Sequence, residues 1–382
     1  MLQRNQSTDA EASPPQSEVR FECSHGLIDL LTELQATVLV TTYQAGKLVA
    51  IGAHEGSTTL SFHNFDRPMG MARSAHSLAV GGRRQVWLLA DAPHIAVAME
   101  PQGRYGTCLL ARSSHITGDI HCHEMAWVGD ELWIVNTLFS CLCTLAPGYS
   151  FVPRWQPPFI SKLAAEDRCH LNGLAVEQGR VRYVTALGES DTPRGWRDGK
   201  ATGGCLIDVA SGETVARGFC MPHSPRVHDG RVWLLDSGTG RLVSIDGATG
   251  RFDIVAQLPG YVRGLHIVEN VAIVGLSKIR DTSTFGGVPL AERRDTLKCG
   301  VAAVDLRTGQ LRGTFEFCSG VDEIFDVSLL IGSRQTAIRG PSAGDDGDEP
   351  IWVVPSPEAN SAGTAASTRS DYQLKTPGVS GG

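Results

Sequence analysis

Six short segments of the chain share one pattern of hydrophobic and polar positions. Each begins with polar or turn-forming residues, and most continue into small or apolar ones; the six are 68–72, 123–127, 171–175, 223–227, 262–266 and 321–325. They recur about every 40–60 residues, which is the period of β-propeller blades. In a propeller the innermost strand of every blade starts at one end of a central channel. The pattern therefore predicts which distant residues meet.

Further apolar segments predict the second strand of five of these units. They are rich in β-branched and aromatic residues, as buried strands are, and comprise 86–89, 132–135, 181–184, 232–235 and 271–274. Turns of the form Asp-x-x-Ser/Thr-Gly begin at Asp208, Asp246 and Asp305 and predict hairpins. Turn formation, rather than ligand binding, is the interpretation that we favour for these aspartates.

The two ends of the repeating region complement each other. The sixth unit is incomplete, whereas the strand-like segments 37–42, 47–52 and 58–62 have no unit of their own. We expect these N-terminal strands to complete the last blade, because such closure removes an open sheet edge. The sequence thus predicts an all-β, six-bladed β-propeller. Seven blades are the alternative, if residues 37–65 form a blade by themselves.

The predicted domain is a single propeller over residues 23–356. Residues 1–22 and 357–382 are predicted to be disordered; the C-terminal tail holds too few large apolar side chains to offset the entropy of ordering. The acidic segment 345–349 is interpreted as a solvated loop. Calcium binding is the alternative there, but the spacing of a calcium loop is absent.

Composition limits the location and the partners. The net charge is −7 and the arginines are scattered, which argues against nucleic acid as the main partner. No segment approaches the roughly 20 apolar residues that span a bilayer, and the polar N-terminal segment does not resemble a secretory signal. The ten cysteines form no dense disulfide pattern. These features predict a cytoplasmic protein without a membrane partner.

Several segments together are distinctive: 42–46, 136–137, 139–142, 158–161, 166–174, 221–226, 235–240 and 259–265. They resemble a widespread bacterial family of conserved hypothetical proteins, some of whose members are joined to tetratricopeptide repeats. The resemblance covers about residues 25–340 and implies no activity. The segment 172–175 is also similar to the strand-opening asparagine of the gluconolactonase, senescence-marker and paraoxonase propellers. In those hydrolases Asn, Asp and Glu bind a central divalent ion, whereas this chain has histidines at several strand starts.

The predicted fold gathers polar residues at one mouth of the channel. Charged and imidazole groups are costly there unless they pair, bind a metal or bind a ligand. His123, His170 and His223 open three consecutive units. Three imidazoles favour zinc, iron, copper or manganese over calcium, so we predict a divalent metal ion held by them. The alternative for each histidine is a hydrogen bond to the backbone of a neighbouring blade.

The same reasoning assigns roles to the other polar residues of the mouth. Asn172 and Asp236 are the predicted oxygen ligands of the metal, with a turn-forming role as the alternative for each. Glu124 or Glu323 is the predicted acid/base, and Arg263 is predicted to orient an anionic group. The alternative for Glu124 is a salt bridge with Arg67 or Arg263.

Three further residues are predicted to contact the substrate: Asn136, Ser224 and Arg226. For Arg226 an ion pair between blades is the competing interpretation. The resulting hypothesis is a metal-dependent enzyme that acts on a small molecule or a peptide by hydrolysis or oxidation. The alternative is a non-catalytic propeller that binds a protein or a peptide, because fold alone does not fix function.

Overall fold

The structure, a computed structural model, describes residues 18–279, 286–355 and 372–374. Its strands form six small sheets arranged as a six-bladed β-propeller. The innermost strands of successive blades pack against one another in a closed ring. The predicted all-β, six-bladed fold is confirmed.

The N-terminal part of the described chain supplies one helix and four strands. In order they are β1 (Phe21–Cys23), α1 (His25–Glu33), β2 (Ala36–Thr42), β3 (Lys47–His54) and β4 (Ser57–Asn64). Helix α1 begins after Ser24, whose side chain accepts a hydrogen bond from the Leu27 amide at 3.4 Å, as an N-cap does. Its buried leucines pack between the last two blades.

The first three blades follow in chain order. Blade 1 contains β5 (Met71–Arg73), β6 (Ser77–Gly81), β7 (Gln85–Asp91), α2 (Pro93–Val97) and β8 (Thr107–Ile116). Blade 2 contains β9 (Cys122–Val128), β10 (Glu131–Asn136), β11 (Cys141–Thr144) and β12 (Val152–Trp155). Blade 3 contains β13 (Leu171–Glu177), β14 (Arg180–Ala186), α3 (Trp196–Gly199), β15 (Gly204–Asp208) and β16 (Thr214–Phe219).

Two more blades complete the regular part of the ring. Blade 4 contains β17 (Pro222–His228), β18 (Arg231–Asp236), a 3₁₀ turn (Ser237–Thr239), β19 (Arg241–Ile245) and β20 (Phe252–Gln257). Blade 5 contains β21 (Tyr261–Val268), β22 (Val271–Ser277), a 3₁₀ segment (Pro289–Thr296), β23 (Gly300–Asp305) and β24 (Leu311–Phe317). The N-terminal strand β1 pairs antiparallel with β24 as a fifth, outer strand of blade 5.

Blade 6 joins distant parts of the chain. Its innermost strand is β25 (Asp326–Ile331), which pairs antiparallel with β2, and β3 and β4 follow outward. The N-terminal strands therefore complete the last blade, as predicted. The seven-blade alternative is wrong, because β2 to β4 share a sheet with β25 instead of forming a blade of their own.

After blade 6 the chain returns to blade 1. Strand β26 (Thr336–Arg339) pairs in parallel with β8, and β27 (Val353–Pro355) pairs with β28 (Tyr372–Leu374) in a separate small sheet. Of the segments predicted to be disordered, 1–17 and most of 357–382 lie outside the described residues. Phe21 and Glu22, within the predicted N-terminal segment, lie in β1.

The core lies between adjacent sheets. One cluster, for example, joins Val135 and Leu142 of blade 2 to Leu171 and Val184 of blade 3, and all four are fully buried. Burial of such side chains stabilises the ring by roughly 25 cal/mol per Å² of apolar surface. The blades are thus fixed side by side, and the starts of their innermost strands are held at one end of the channel.

Candidate functional site

A repeated backbone turn places the polar residues of the channel. His121, His170 and Met221 lie directly before the innermost strands of blades 2, 3 and 4, and each has a left-handed conformation with φ of 53°, 50° and 55°. Residues other than glycine adopt this conformation uncommonly. Two positions after the three turns come His123, Asn172 and His223. Three successive blades therefore present a polar side chain at a corresponding point.

The turns also orient two of the imidazoles. His123 Nδ1 lies 3.1 Å from the carbonyl oxygen of His121, and His223 Nδ1 lies 2.8 Å from that of Met221. A carbonyl oxygen can only accept, so Nδ1 carries the proton in both rings and Nε2 keeps its lone pair. Among the described residues, no group lies within hydrogen-bond distance of either Nε2 atom.

His170 reaches the same arrangement by another route. Its Nδ1 atom lies 2.9 Å from Asp167 Oδ1, and Asp167 also accepts a hydrogen bond from Trp196 Nε1 at 3.2 Å. The Trp196 ring packs against the His170 ring with centroids 4.4 Å apart. In all three histidines, therefore, Nδ1 is engaged by a carbonyl or a carboxylate. Metal-binding histidines typically show this pattern, with the other nitrogen facing the ion.

The structure brings the three histidines to one end of the channel. The ring centroids of His123 and His170 are 4.9 Å apart in an edge-to-face contact. His123 and His223 line one small cavity together with Arg263 and Phe325. We call His123, His170, His223, Arg263, Glu323 and Phe325 the channel mouth. The cavity within it measures about 10 Å³, close to the room that one water molecule needs.

The imidazoles of the cavity are neutral at pH 7. Burial lowers the pKa of His123 well below 6.5, and His170 and Arg263 lower it further. Burial also lowers the pKa of His223, again with a contribution from Arg263. The neutral ring is the form that binds a metal. The protonation state of these residues therefore fits the predicted chemistry.

Arg263 is a largely buried cation beside these neutral rings, with 12% of its side chain exposed. Its guanidinium carbon lies 3.3 Å from the centroid of the Phe325 ring, and burial lowers the pKa of Arg263. Its Nη1 atom lies 3.7 Å from Glu323 Oε1, which is beyond hydrogen-bond distance. A negatively charged group arriving at the mouth would approach a guanidinium that Glu323 contacts only loosely.

Glu124 lies deeper in the channel than the histidines, with an ion pair at one oxygen and a hydrogen bond at the other. Its Oε1 atom lies 2.5 Å from Arg226 Nη1, and its Oε2 atom accepts a hydrogen bond from the Leu174 amide at 3.0 Å. Burial raises the pKa of Glu124 to about 7, against the opposing effect of Arg226. The sequence alternative of a salt bridge is therefore observed, but its partner is Arg226 instead of Arg67 or Arg263.

Asp326 completes this group, which we call the ion cluster: Glu124, Arg226 and Asp326. The two oxygens of Asp326 accept hydrogen bonds from the Met71 amide at 2.7 Å and its own neighbour Val327 at 2.8 Å. Burial raises the pKa of Asp326, while Arg226 lowers it. Further along the innermost strands, Arg226 also lines a wider cavity of about 290 Å³ with Arg73, Trp127 and His266. The ion cluster thus lies between the mouth and this cavity.

The predicted oxygen ligands have other partners. Asn172 accepts a hydrogen bond from Thr185 at 2.6 Å and donates one to the Pro222 carbonyl at 2.9 Å, which ties blade 3 to blade 4. Asp236 accepts from the Cys220 amide at 2.6 Å and from Thr239 at 2.5 Å. Asn172 borders the small cavity, whereas the contacts of Asp236 are those of a turn.

Two of the predicted substrate contacts also hold the fold together. Ser224 Oγ accepts a hydrogen bond from the Gly264 amide at 3.1 Å, which joins blade 4 to blade 5. Asn136 Oδ1 accepts from the Phe139 amide at 3.1 Å, and the Asn136 side chain is fully buried. Asparagine, serine and glutamate side chains thus make the hydrogen bonds to the backbone of neighbouring blades. In the sequence analysis such hydrogen bonds were the alternative role of the histidines.

One further group was missed by sequence reasoning. His63, Asp346 and Asp348 each offer a ligand atom, and these atoms all lie within 4.8 Å of one another, so the group could hold a metal ion. Among residues 18–279, 286–355 and 372–374, this is the set of three or more His, Cys, Asp or Glu residues whose ligand atoms all lie so close together. The ligand atoms of the three mouth histidines do not all lie within this distance of one another. His63 is more than 280 positions from the two aspartates, and 345–349 had been interpreted as a solvated loop, with calcium binding as the alternative.

Comparison with known families places the chain in a group of uncharacterised proteins. The model of a family described as "Domain of unknown function (DUF4915)" matches residues 25–338. The chain belongs to this family. The predicted membership in an uncharacterised family is confirmed, while the fusions to tetratricopeptide repeats and the similarity to gluconolactonases stay predictions. No curated protein matches the chain significantly.

Solved structures support the fold. A chain from the structure titled "Crystal structure of Nidogen/Laminin Complex" is similar with a TM-score of 0.53 at 10% sequence identity. The match covers 78% of this chain and 99% of that chain. At this identity the likeness concerns the propeller architecture alone. In the described part of the chain, every helix is too short or too polar to cross a bilayer.

Proposed function

We propose that the protein is a metal-dependent enzyme whose site is the channel mouth. In this proposal the Nε2 atoms of His123, His170 and His223 bind a divalent ion, with zinc, iron, copper or manganese preferred over calcium because the donors are imidazoles. The substrate is a small molecule or a peptide, and the reaction is a hydrolysis or an oxidation. A bound ion could polarise a substrate oxygen or generate hydroxide.

One observation carries this proposal. Each of the three imidazoles gives its Nδ1 proton to a protein oxygen, at 3.1, 2.9 and 2.8 Å for His123, His170 and His223. The Nε2 atoms of His123 and His223, whose rings are neutral at pH 7, are therefore lone-pair donors at the same end of the channel. Because the ligand atoms of the three histidines do not all converge within 4.8 Å in this structure, an ion bound by all three requires the rings to move closer together.

The surrounding charges suggest the kind of substrate. Arg263 is the cation of the mouth, and Glu323 contacts it at 3.7 Å. We propose that Arg263 binds an anionic group of the substrate, such as a carboxylate, and that Glu323 serves as acid/base. Glu124 is a weaker candidate for that role than the sequence suggested, because both of its oxygens have partners. Asn172 and Asp236 contribute to the fold more than to the ion.

Metal analysis tests the proposal. Protein purified without a chelating tag should contain a transition metal in stoichiometric amount, and the double variant His123→Ala/His223→Ala should lose about one ion per chain. His76→Ala is the matched control, because His76 is exposed and distant in sequence from the mouth. Metal content unchanged in the double variant would contradict the proposal. So would a wild-type protein without metal whose thermal stability does not respond to zinc, iron, copper or manganese.

A non-catalytic binding function is the second candidate, and the size of the mouth cavity favours it. A space of about 10 Å³ holds no substrate, so a ligand must rest on the face of the propeller and reach in with at most a small group. A protein or peptide ligand would do so. A stable partner in a pull-down that survives the double variant His123→Ala/His223→Ala would favour this function over the enzyme.

We also propose a cytoplasmic location. All ten cysteines are free thiols and eight of them are buried, which suits a reducing compartment. Burial raises the pKa of several of these thiols, for example that of Cys122 to about 12, so they are unreactive. The net charge of −7 supports a ligand other than nucleic acid.

A further inference from the structure

His63, Asp346 and Asp348 lie where the propeller ring closes. His63 is near the end of β4, the outermost strand of blade 6, whereas the two aspartates lie in the loop after β26, which pairs with blade 1. We call His63, Asp346 and Asp348 the seam group. It connects the N-terminal strands of the ring to the segment that follows its last innermost strand.

Both aspartates have donors besides the group: Asn64 for the two oxygens of Asp346, and Arg339 for one oxygen of Asp348. Asp346 Oδ1 accepts hydrogen bonds from the Asn64 amide at 2.9 Å and from the Asn64 side chain, and the same amide lies 3.2 Å from Oδ2. Asp348 Oδ1 lies 3.0 Å from Arg339 Nη1. The two Oδ2 atoms face His63, and each lies 3.9 Å from His63 Nδ1.

The imidazole turns toward these oxygens a nitrogen that has no hydrogen-bond partner among the described residues. His63 is 5% exposed, and its Nε2 atom lies 3.0 Å from the Ser61 hydroxyl. Its Nδ1 atom is buried and has no hydrogen-bond partner in the described part of the chain. Burial, with Arg339 and Lys47 nearby, lowers the pKa of His63 to about 4, so the ring is neutral at pH 7.

Three acceptors therefore face one another. An Nδ1–H donor would lie about 2.7–3.2 Å from the oxygen that accepts its hydrogen bond, and the observed distances of 3.9 Å exceed this. Two ligands that each lie about 2.1 Å from one ion are at most about 4.2 Å apart. The spacing is thus too long for a hydrogen bond and suits two ligands of a common ion.

We propose that His63 Nδ1, Asp346 and Asp348 bind one divalent transition-metal ion, zinc or manganese, that fastens the loop 341–348 to β4. One nitrogen and two carboxylate oxygens favour these ions over calcium and magnesium, which take oxygen ligands. The ion is structural: it closes the seam of the propeller and is separate from the channel mouth. Arg339 and Lys47 lie near the group, so the affinity is lower than three such ligands give without positive neighbours.

Thermal unfolding of the full chain tests this site. The protein carries the substitutions His123→Ala/His223→Ala, so that metal binding at the mouth does not contribute. It is freed of metal by a chelator and then titrated with zinc or manganese. At an ion concentration about 100-fold above Kd we expect the Tm to rise by about 5 °C. Asp346→Asn and Asp348→Asn should each abolish most of this rise. Asp345→Asn is the matched control, because it removes the same charge from the same loop outside the group.

A second measurement does not depend on stability. Manganese binding is counted from the loss of the electron paramagnetic resonance signal of the free ion, and the variants Asp346→Asn and Asp348→Asn should bind one ion fewer per chain than Asp345→Asn. The proposal is overturned if neither ion binds, or if binding is equal in all three variants; a proton or a water molecule then occupies the site. Because His123 and His223 are replaced in this background, failure here leaves the proposed function untouched.

Discussion

Two regions of the molecule bury imidazoles and carboxylates: the channel mouth with its ion cluster, and the seam group. They differ in the groups that compensate the loss of hydration. In the ion cluster each carboxylate oxygen faces a donor: Glu124 has Arg226 and a backbone amide, and Asp326 has two amides. In the seam group His63 Nδ1 has no hydrogen-bond partner in the described part of the chain, and one oxygen of each aspartate lies 3.9 Å from it. The first arrangement sets Arg226 and backbone amides against its carboxylates, whereas the second has Arg339 beside Asp348 but leaves a nitrogen of its imidazole without a donor among the described residues.

The difference shows that residue type alone does not tell which buried side chains have protein partners. Sequence reasoning favoured the mouth, where Glu124, Asn172 and Asp236 were offered as catalytic or ligand residues. Those side chains instead hold neighbouring blades and turns together. A buried polar atom indicates a ligand only when the protein leaves it without a partner. The comparison can be tested by removing groups from either region.

The largest effect is expected for Glu124→Ala. The substitution leaves Arg226 in the channel without its closest carboxylate and the Leu174 amide without an acceptor, which should lower the free energy of unfolding by about 3–5 kcal/mol. Urea denaturation at pH 7 measures it. Glu55→Ala, at an exposed glutamate, should change stability by less than about 0.5 kcal/mol. A loss below about 1 kcal/mol for Glu124→Ala would show that the ion cluster does not hold the channel.

Asn172→Ala should have the next largest effect. It leaves the Thr185 hydroxyl and the Pro222 carbonyl without their partner at the contact of blades 3 and 4, at a cost of about 2 kcal/mol. Metal content should stay as in the wild type, because Asn172 contributes to the fold. Asn270→Ala, at an exposed position, is the control for urea denaturation. Loss of metal with unchanged stability would instead support the sequence-based prediction that Asn172 is a metal ligand.

A pH series tests a half-buried imidazole that belongs to neither region. Burial, with Arg226 nearby, lowers the pKa of His266 to about 4. Below pH 6.5 the unfolded chain takes up a proton at this residue and the folded chain does not, so stability is lost as pH falls from about 6.5 to about 4. The slope should be about 1 kcal/mol per pH unit. His266→Asn should flatten the decline and His76→Asn should not; equal slopes would contradict the assignment.

The smallest effect is expected at the seam, for Asp346→Asn in metal-free protein. The new amide can still accept from Asn64 and can donate to His63 Nδ1, so repulsion among acceptors is relieved. The free energy of unfolding should change by less than about 1 kcal/mol or rise. Thermal unfolding in the presence of a chelator measures it. A loss as large as that of Glu124→Ala would mean that the seam group is complete without an ion.

The fold followed from the sequence because its signals are local and repeated. Four of the five predicted second strands, the turns at Asp246 and Asp305 and the six strand starts each needed only a few neighbouring residues. The prediction for the segment 86–89 is wrong, because it lies in β7, the third strand of blade 1 from the channel, and the second strand is β6. The structure shows those aspartates accepting hydrogen bonds from the amides two and three positions later, at 2.9–3.0 Å. The extra strands β1 and β26 were not predicted, because short edge strands carry little hydrophobic pattern.

The site was predicted only in part, for geometric reasons. The sequence placed His123, His170 and His223 at one end of the channel, and the structure brings them there. Sequence reasoning did not find Arg226 as the partner of Glu124, because a β-bulge between His223 and Arg226 redirects the side chains of blade 4. The seam group joins β4 to a loop far along the chain, and no local pattern connects them.

The overlap of strands at the closure has a consequence for unfolding. In a linear array of repeats the outermost unit has one neighbour and can fray first. Here β1 extends blade 5, β2 to β4 fill blade 6 and β26 lies on blade 1, so segments from both sides of the closure are interleaved over three blades. No blade is a terminal repeat, and detaching any of them exposes faces on two neighbours at once. We expect the six blades to be lost together, in one transition.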